Sequence, residues 1–87
     1  MEPIKPRSQM TRQEIVSVIL RSCALLVDPR NGHLRSLATA LELHEVTLSN
    51  WIAQGFVPEF QVQKLQRKFG SQAAPLDDLC PVENRRA

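Results

Sequence analysis

Residues 34–55, LRSLATALELHEVTLSNWIAQG, decide the fold, because they read as two short helices joined by a turn too tight for a simple hairpin. Leu34, Leu37, Ala38 and Leu41 recur at helical spacing, which buries one face of the first of these helices. Ala38 places a small side chain where two helices would cross. After the turn, Leu48, Trp51 and Ile52 form a second apolar stripe, and Leu43 is placed to plug the corner between the two. Gly55 ends the second helix, as a glycine just past a helix end does. The spacing of Trp51 with Leu48 and Ile52 assigns its indole to the core rather than to an exposed stacking surface. That leaves His44, Glu45, Val46, Thr47, Ser49 and Asn50 on the outer face, mostly short or polar side chains.

On the N-terminal side, Thr11-Arg12-Gln13-Glu14 is a capping box, in which the Thr hydroxyl accepts from a backbone N–H three residues on and the Glu carboxylate returns the bond. A helix starts there and runs to about Val27, because the residue before Pro29 disfavours helical geometry. Asp28-Pro29-Arg30-Asn31-Gly32 is a dense turn signal. This helix carries Ile15, Ile19, Ser22 and Leu26 on one face, Val16, Leu20, Cys23 and Val27 on the adjacent one, and Val18 and Leu25 besides. The stripe is wider than a three-helix partner covers. Two readings stand: a broad buried stripe in a small globule, or a dimer interface built on Val16, Leu20 and Val27.

On the C-terminal side, Pro58 suits a first helical turn, Val62, Leu65 and Phe69 repeat at helical spacing, and Gly70 closes a further helix. Lys64 and Lys68 share one of its faces, with Gln63 and Arg67 on another. Residues 1–10, with Pro3, Pro6 and little to bury, read as a mobile basic arm, residues 11–70 as the folded domain and residues 71–87 as a tail. Within the tail, Ala74-Pro75-Leu76-Asp77-Asp78-Leu79-Cys80-Pro81 can form one helical turn that docks Leu76 and Leu79. No strand pattern appears, so the fold class is all-α: a small bundle of four to five helices containing a helix-turn-helix.

Eighty-seven residues hold one small domain with a modest core. The net charge is only +2, but its distribution is uneven: residues 1–35 carry six basic and three acidic groups, residues 36–60 carry Glu42, Glu45 and Glu59 with no Lys or Arg, and residues 61–70 carry Lys64, Arg67 and Lys68. The apolar run from Ile15 to Val27 is interrupted by Arg21, which argues against a secretory signal, and is too short to span a bilayer. Cys23 and Cys80 are at no metal-ligand spacing and read as one buried thiol and one tail thiol in a reducing cytoplasm. Nothing suggests an enzyme, a cofactor, a small-molecule substrate or a metal. His33 and His44 lack a neighbouring nucleophile, there is no phosphate loop, and three glycines are all the chain has. His33 reads as a helix-start residue and His44 as a turn or groove residue.

The segment LRSLATALELHEVTLSNWIAQG resembles the helix-turn-helix of small Cro-like phage repressors and the related YdaS-type antitoxin-like regulators. The likeness covers roughly residues 34–69. It rests on Leu37-Ala38 with Leu48 and Trp51 at the family's buried spacing, and on Gly55-Phe56-Val57-Pro58, similar to a G-x-x-P step into a further helix. Asp78-Leu79-Cys80-Pro81 is similar to the D-L-x-P ending of YdaS-type chains. One position departs: Glu42 stands where the family's turn usually has glycine, so it must adopt a left-handed conformation at some cost or reshape the turn.

The resemblance implies a cytoplasmic, sequence-specific regulator, a phage or prophage repressor that binds double-stranded DNA as a homodimer. The positions that face bases in such proteins fall on Glu45, Val46, Ser49 and Asn50, with His44 at the rim. Each has usable chemistry: Glu45 accepts from cytosine N4, Asn50 pairs with adenine, Val46 meets a thymine methyl, and Ser49 serves either way. Arg35 and Thr47 are placed for phosphate, and Lys64, Arg67 and Lys68 would supply the remaining phosphate attraction. A reading from a different class stands beside it. The acidic segment around the turn suits a protein-interaction module, antitoxin-like or anti-repressor, that uses the same helical frame to bind another protein.

Overall fold

The computed structural model describes residues 10–84, which are all-helical and without strands. Five α-helices follow one another: α1 (Arg12–Val27), α2 (Leu34–Ala40), α3 (Glu45–Gln54), α4 (Glu59–Phe69) and the single turn α5 (Leu76–Leu79), with a short 3-10 turn at Val82–Asn84. Residues 1–9, all but the last residue of the arm expected over residues 1–10, and residues 85–87 lie outside the described part. No helix among the described residues is long and apolar enough to cross a membrane.

The start of α1 is fixed by local chemistry. The Glu14 amide donates to the Thr11 hydroxyl at 3.1 Å and the Thr11 amide donates to the Glu14 carboxylate at 3.2 Å, the reciprocal pair the sequence predicts. Its end falls at Val27, before Asp28, whose carboxylate accepts from the Asn31 amide at 3.3 Å and from the Ser36 hydroxyl at 3.2 Å. Asp28 thereby shapes the turn and ties it to the first turn of α2. Pro58 differs slightly from expectation: it caps α4 from outside instead of occupying its first turn.

The core is one cluster around α1, which packs on α2, α3 and α5, while α4 packs on α5. Val16, Leu20, Cys23 and Ala24 from α1 meet Leu37 and Ala38 from α2, Leu48 and Trp51 from α3, and Val62 and Leu65 from α4. Trp51, 4% exposed, is a core residue. Burial divides the wide α1 stripe into an inner and an outer part. Val16 and Leu20 are fully buried inside the protomer and Val27 is partly buried against the same core, so the first two cannot line a surface between copies. The apolar residues left outside are Val18, Leu25 and Leu26, 52%, 49% and 59% exposed, with Ser22 exposed among them. The core accepts the side of the helix that holds Val16, Ile19, Leu20 and Cys23, and the surplus lies on the opposite side.

Within residues 71–84 the helical turn expected of the tail forms as α5 and docks Leu76 and Leu79 on the core, and the contact extends beyond that turn. Ala74, Leu79 and Cys80 are fully buried, and Ala73 and Leu76 pack on the cluster. The Val57 amide donates to the Leu79 carbonyl at 2.8 Å, the Gln66 side-chain amide donates to the Ala74 carbonyl at 3.0 Å, and the Cys23 thiol donates to the Ala73 carbonyl at 3.6 Å. Cys80 is thus a second buried thiol. Burial also pushes the Cys23 thiol up from its ordinary value, because the thiolate would lose its hydration.

Candidate functional site

α2 and α3 are joined by residues 41–44, and the turn is closed by backbone bonds. The Leu43 amide donates to the Ala38 carbonyl at 2.8 Å and the Glu42 amide to the Thr39 carbonyl at 3.1 Å. This is the double-bonded helix ending whose extra residue sits in left-handed geometry. Glu42 occupies it, at φ 59°. Of the two options the sequence left for this residue, the chain takes the strained backbone and keeps the turn.

α3 is positioned from both ends. Leu48 and Trp51 bury one side in the core, with Ile52 packed beside them. At its C-terminal end Gly55 lies at φ 84°, and a Cβ there would stand 2.9 Å from the Arg12 Cβ, so both the backbone conformation and the close approach of α1 require glycine. Arg12 exploits that approach. Its Nε donates to the Gly55 carbonyl at 3.2 Å and its Nη2 to the Asp78 carbonyl, so one guanidinium joins the start of α1, the end of α3 and α5. Gln13 adds a 3.4 Å bond from its Nε2 to the Ala53 carbonyl. Arg12 is the positioning residue that sequence reasoning missed: within the capping box it reads as an ordinary first-turn residue, and its partners are far along the chain.

The face of α3 turned away from the core is solvent-exposed at Glu45, Val46, Ser49 and Asn50, with His44 exposed at the cap position and Thr47 half-buried. Val46 is 62% exposed, an apolar side chain held out among polar ones. His33 and His44 precede α2 and α3, and neither ring bonds to the backbone of its helix. Arg35, in the first turn of α2, and Glu45, the first residue of α3, come together: Nε and Oε2 are 3.6 Å apart, with the side chains 82% and 51% exposed. They line an open cleft of about 580 Å³ with Arg21, Asn31, Gly32, His33, Leu34 and Ser36. Lys64, Arg67 and Lys68 are exposed on α4, a separate element packed chiefly on α5. The candidate residues therefore form two groups, one on α2 and α3 and one on α4.

Among the described residues no cluster of three or more His, Cys, Asp or Glu is arranged to hold a metal ion. Chemically, the α3 face offers donors, acceptors and one apolar contact, and the cleft offers two guanidinium groups and an imidazole beside a single carboxylate. No family model, curated protein or solved structure matches the chain.

Proposed function

We propose that the protein is a sequence-specific DNA-binding transcriptional regulator, of the Cro-like repressor kind, that presents α3 to the major groove of double-stranded DNA. The observation that carries this reading is the exposed face of α3, where Glu45, Val46, Ser49 and Asn50 stand together on a helix whose other side is locked into the core. A helix fits the major groove, and these four side chains carry the acceptor, methyl-contact, hydroxyl and carboxamide chemistry that reads base edges there. Arg35, Thr47, Lys64, Arg67 and Lys68 serve the phosphates, which fix register and supply most of the non-specific attraction. A single such unit buries little surface, so tight binding calls for two copies on a two-fold site, and the exposed Val18, Leu25 and Leu26 of α1 offer the apolar face for that pairing.

A second reading, an interaction module that binds another protein, is favoured by one observation. Residues 36–60 hold three glutamates and neither Lys nor Arg, a poor balance for a surface that meets phosphates. Selection of bound duplexes from a random pool, followed by retention on the selected duplex at rising salt, separates the two. The DNA reading expects a recurring sequence and steep loss of affinity with salt. No enrichment and no salt-sensitive retention on duplex would overturn it in favour of the interaction module.

A further inference from the structure

The DNA reading leaves an acid at the tip of the helix meant for the groove, and the structure shows what that acid does in the free protein. Glu45 holds Arg35 across the gap between the first turns of α2 and α3, at 3.6 Å. Both groups are open to water, so the pair is weak and a phosphate of the same sign as Glu45 competes for the guanidinium directly. The cleft that the pair lines also contains Arg21, His33 and Asn31, so a phosphate entering it meets other donors besides Arg35.

We propose that Arg35 and Glu45 form an exchange pair that couples phosphate binding to base reading. In this scheme, which rests on the DNA reading above, Arg35 leaves Glu45 for a backbone phosphate only when the groove gives Glu45 a replacement donor, such as the cytosine N4 amino group. On a sequence without that donor, releasing Arg35 would leave a bare carboxylate facing the duplex. Arg35 then stays on Glu45, and one phosphate contact is not made. Sequence information at the base edge thereby becomes a difference in the number of neutralised phosphates, and discrimination is larger than the base contact alone provides.

Counterion release makes this difference countable, since each phosphate neutralised contributes about 0.9 to the slope of log affinity against log salt. The test uses the full chain, the duplex recovered by selection and a random duplex of equal length, with slopes measured for wild type, Glu45→Gln and Arg35→Ala. Wild type should show a slope steeper on the selected duplex by about 0.9, the worth of one phosphate. Glu45→Gln should close the gap by steepening the random-duplex slope, because Arg35 is then free on any sequence. Arg35→Ala should close it from the other side, by flattening the slope on the selected duplex. A wild type with equal slopes, or a gap kept in either variant, overturns the exchange while the DNA reading stands. A wild-type chain that binds no duplex at low salt overturns both. Far-UV circular dichroism establishes that the two surface variants keep the helical content of wild type, so that a changed slope reports the pair and not the fold.

Discussion

Glu42 is the residue at which the chain trades stability for shape. At φ 59° its Cβ is forced against the neighbouring carbonyl, a conformation that costs a non-glycine residue about 1–2 kcal/mol, and the turn it completes is what directs Leu43 into the corner and α3 back across α1. Glu42→Gly should remove that strain at a smaller cost in backbone entropy, for a net stabilisation of about 0.5–1 kcal/mol in chemical denaturation. A decrease in stability would mean that the Glu42 side chain makes a compensating contact. Cys23 gives a pH-dependent counterpart. Burial raises its pKa above the ordinary 9.0, so the folded state keeps the proton that the unfolded chain releases first. Its contribution is complete below the unfolded value and is lost as pH rises through the raised folded one. Urea unfolding followed from neutral pH to well above 9.0 should show wild type losing stability more steeply than Cys23→Ala. Parallel curves would show that deprotonation of this thiol is not linked to folding.

At the scale of elements, α3 and α4 carry different kinds of side chain and should fail differently. α3 shows Ser49 and Asn50 to solvent, short groups that can pair with individual base edges, whereas α4 shows Lys64 and Lys68, long cations suited to any phosphate. Ser49→Ala or Asn50→Ala should cost about 1–3 kcal/mol on the selected duplex and relax preference at one base pair. Lys64→Ala and Lys68→Ala should weaken all sequences alike and flatten the salt dependence. Competition binding against single-base variants of the selected site checks the division. Loss of affinity shared equally by all sequences in the α3 variants, with the salt slope unmoved in the α4 variants, would reverse the assignment of roles. α1 shows why face assignment needs the third dimension. Its apolar residues nearly encircle the helix, so spacing alone does not choose between the Val16 and Leu20 side and the Val18 and Leu25 side.

For the molecule as a whole, the C-terminal segment closes the core. Removing residues 71–87 would strip away Ala74, Leu79 and Cys80, all fully buried, together with Leu76, and would leave the Val57 amide and the Gln66 carboxamide without their carbonyl partners. A fully buried Leu alone is worth about 1.5–3 kcal/mol, a large share of the 5–15 kcal/mol that typically separates folded from unfolded states. The chain ending at Gly70 should therefore lose its cooperative thermal transition or melt far below wild type, as followed by circular dichroism. A truncated chain with the wild-type midpoint would return these residues to the status of a tail. The guanidinium of Arg12 acts at the same scale, since it binds carbonyls on both α3 and the C-terminal turn.

What the sequence by itself determined is the set of helices and their ends, because those signals act within four residues or so: the Thr11–Glu14 box, the proline after Asp28, Gly55 and Gly70, and the spacing of Leu37, Leu48, Trp51, Val62 and Leu65. The outward residues of α3 were legible for the same reason, since they are what remains when the buried stripe is removed. Only the tertiary structure decided which side of α1 faces inward, that Ala74 and Cys80 complete the core, and that Glu42 takes the left-handed turn. It alone paired Arg35 with Glu45 and Arg12 with carbonyls 43 and 66 residues away. Such choices depend on groups brought together by packing, and no local pattern in the chain encodes their approach.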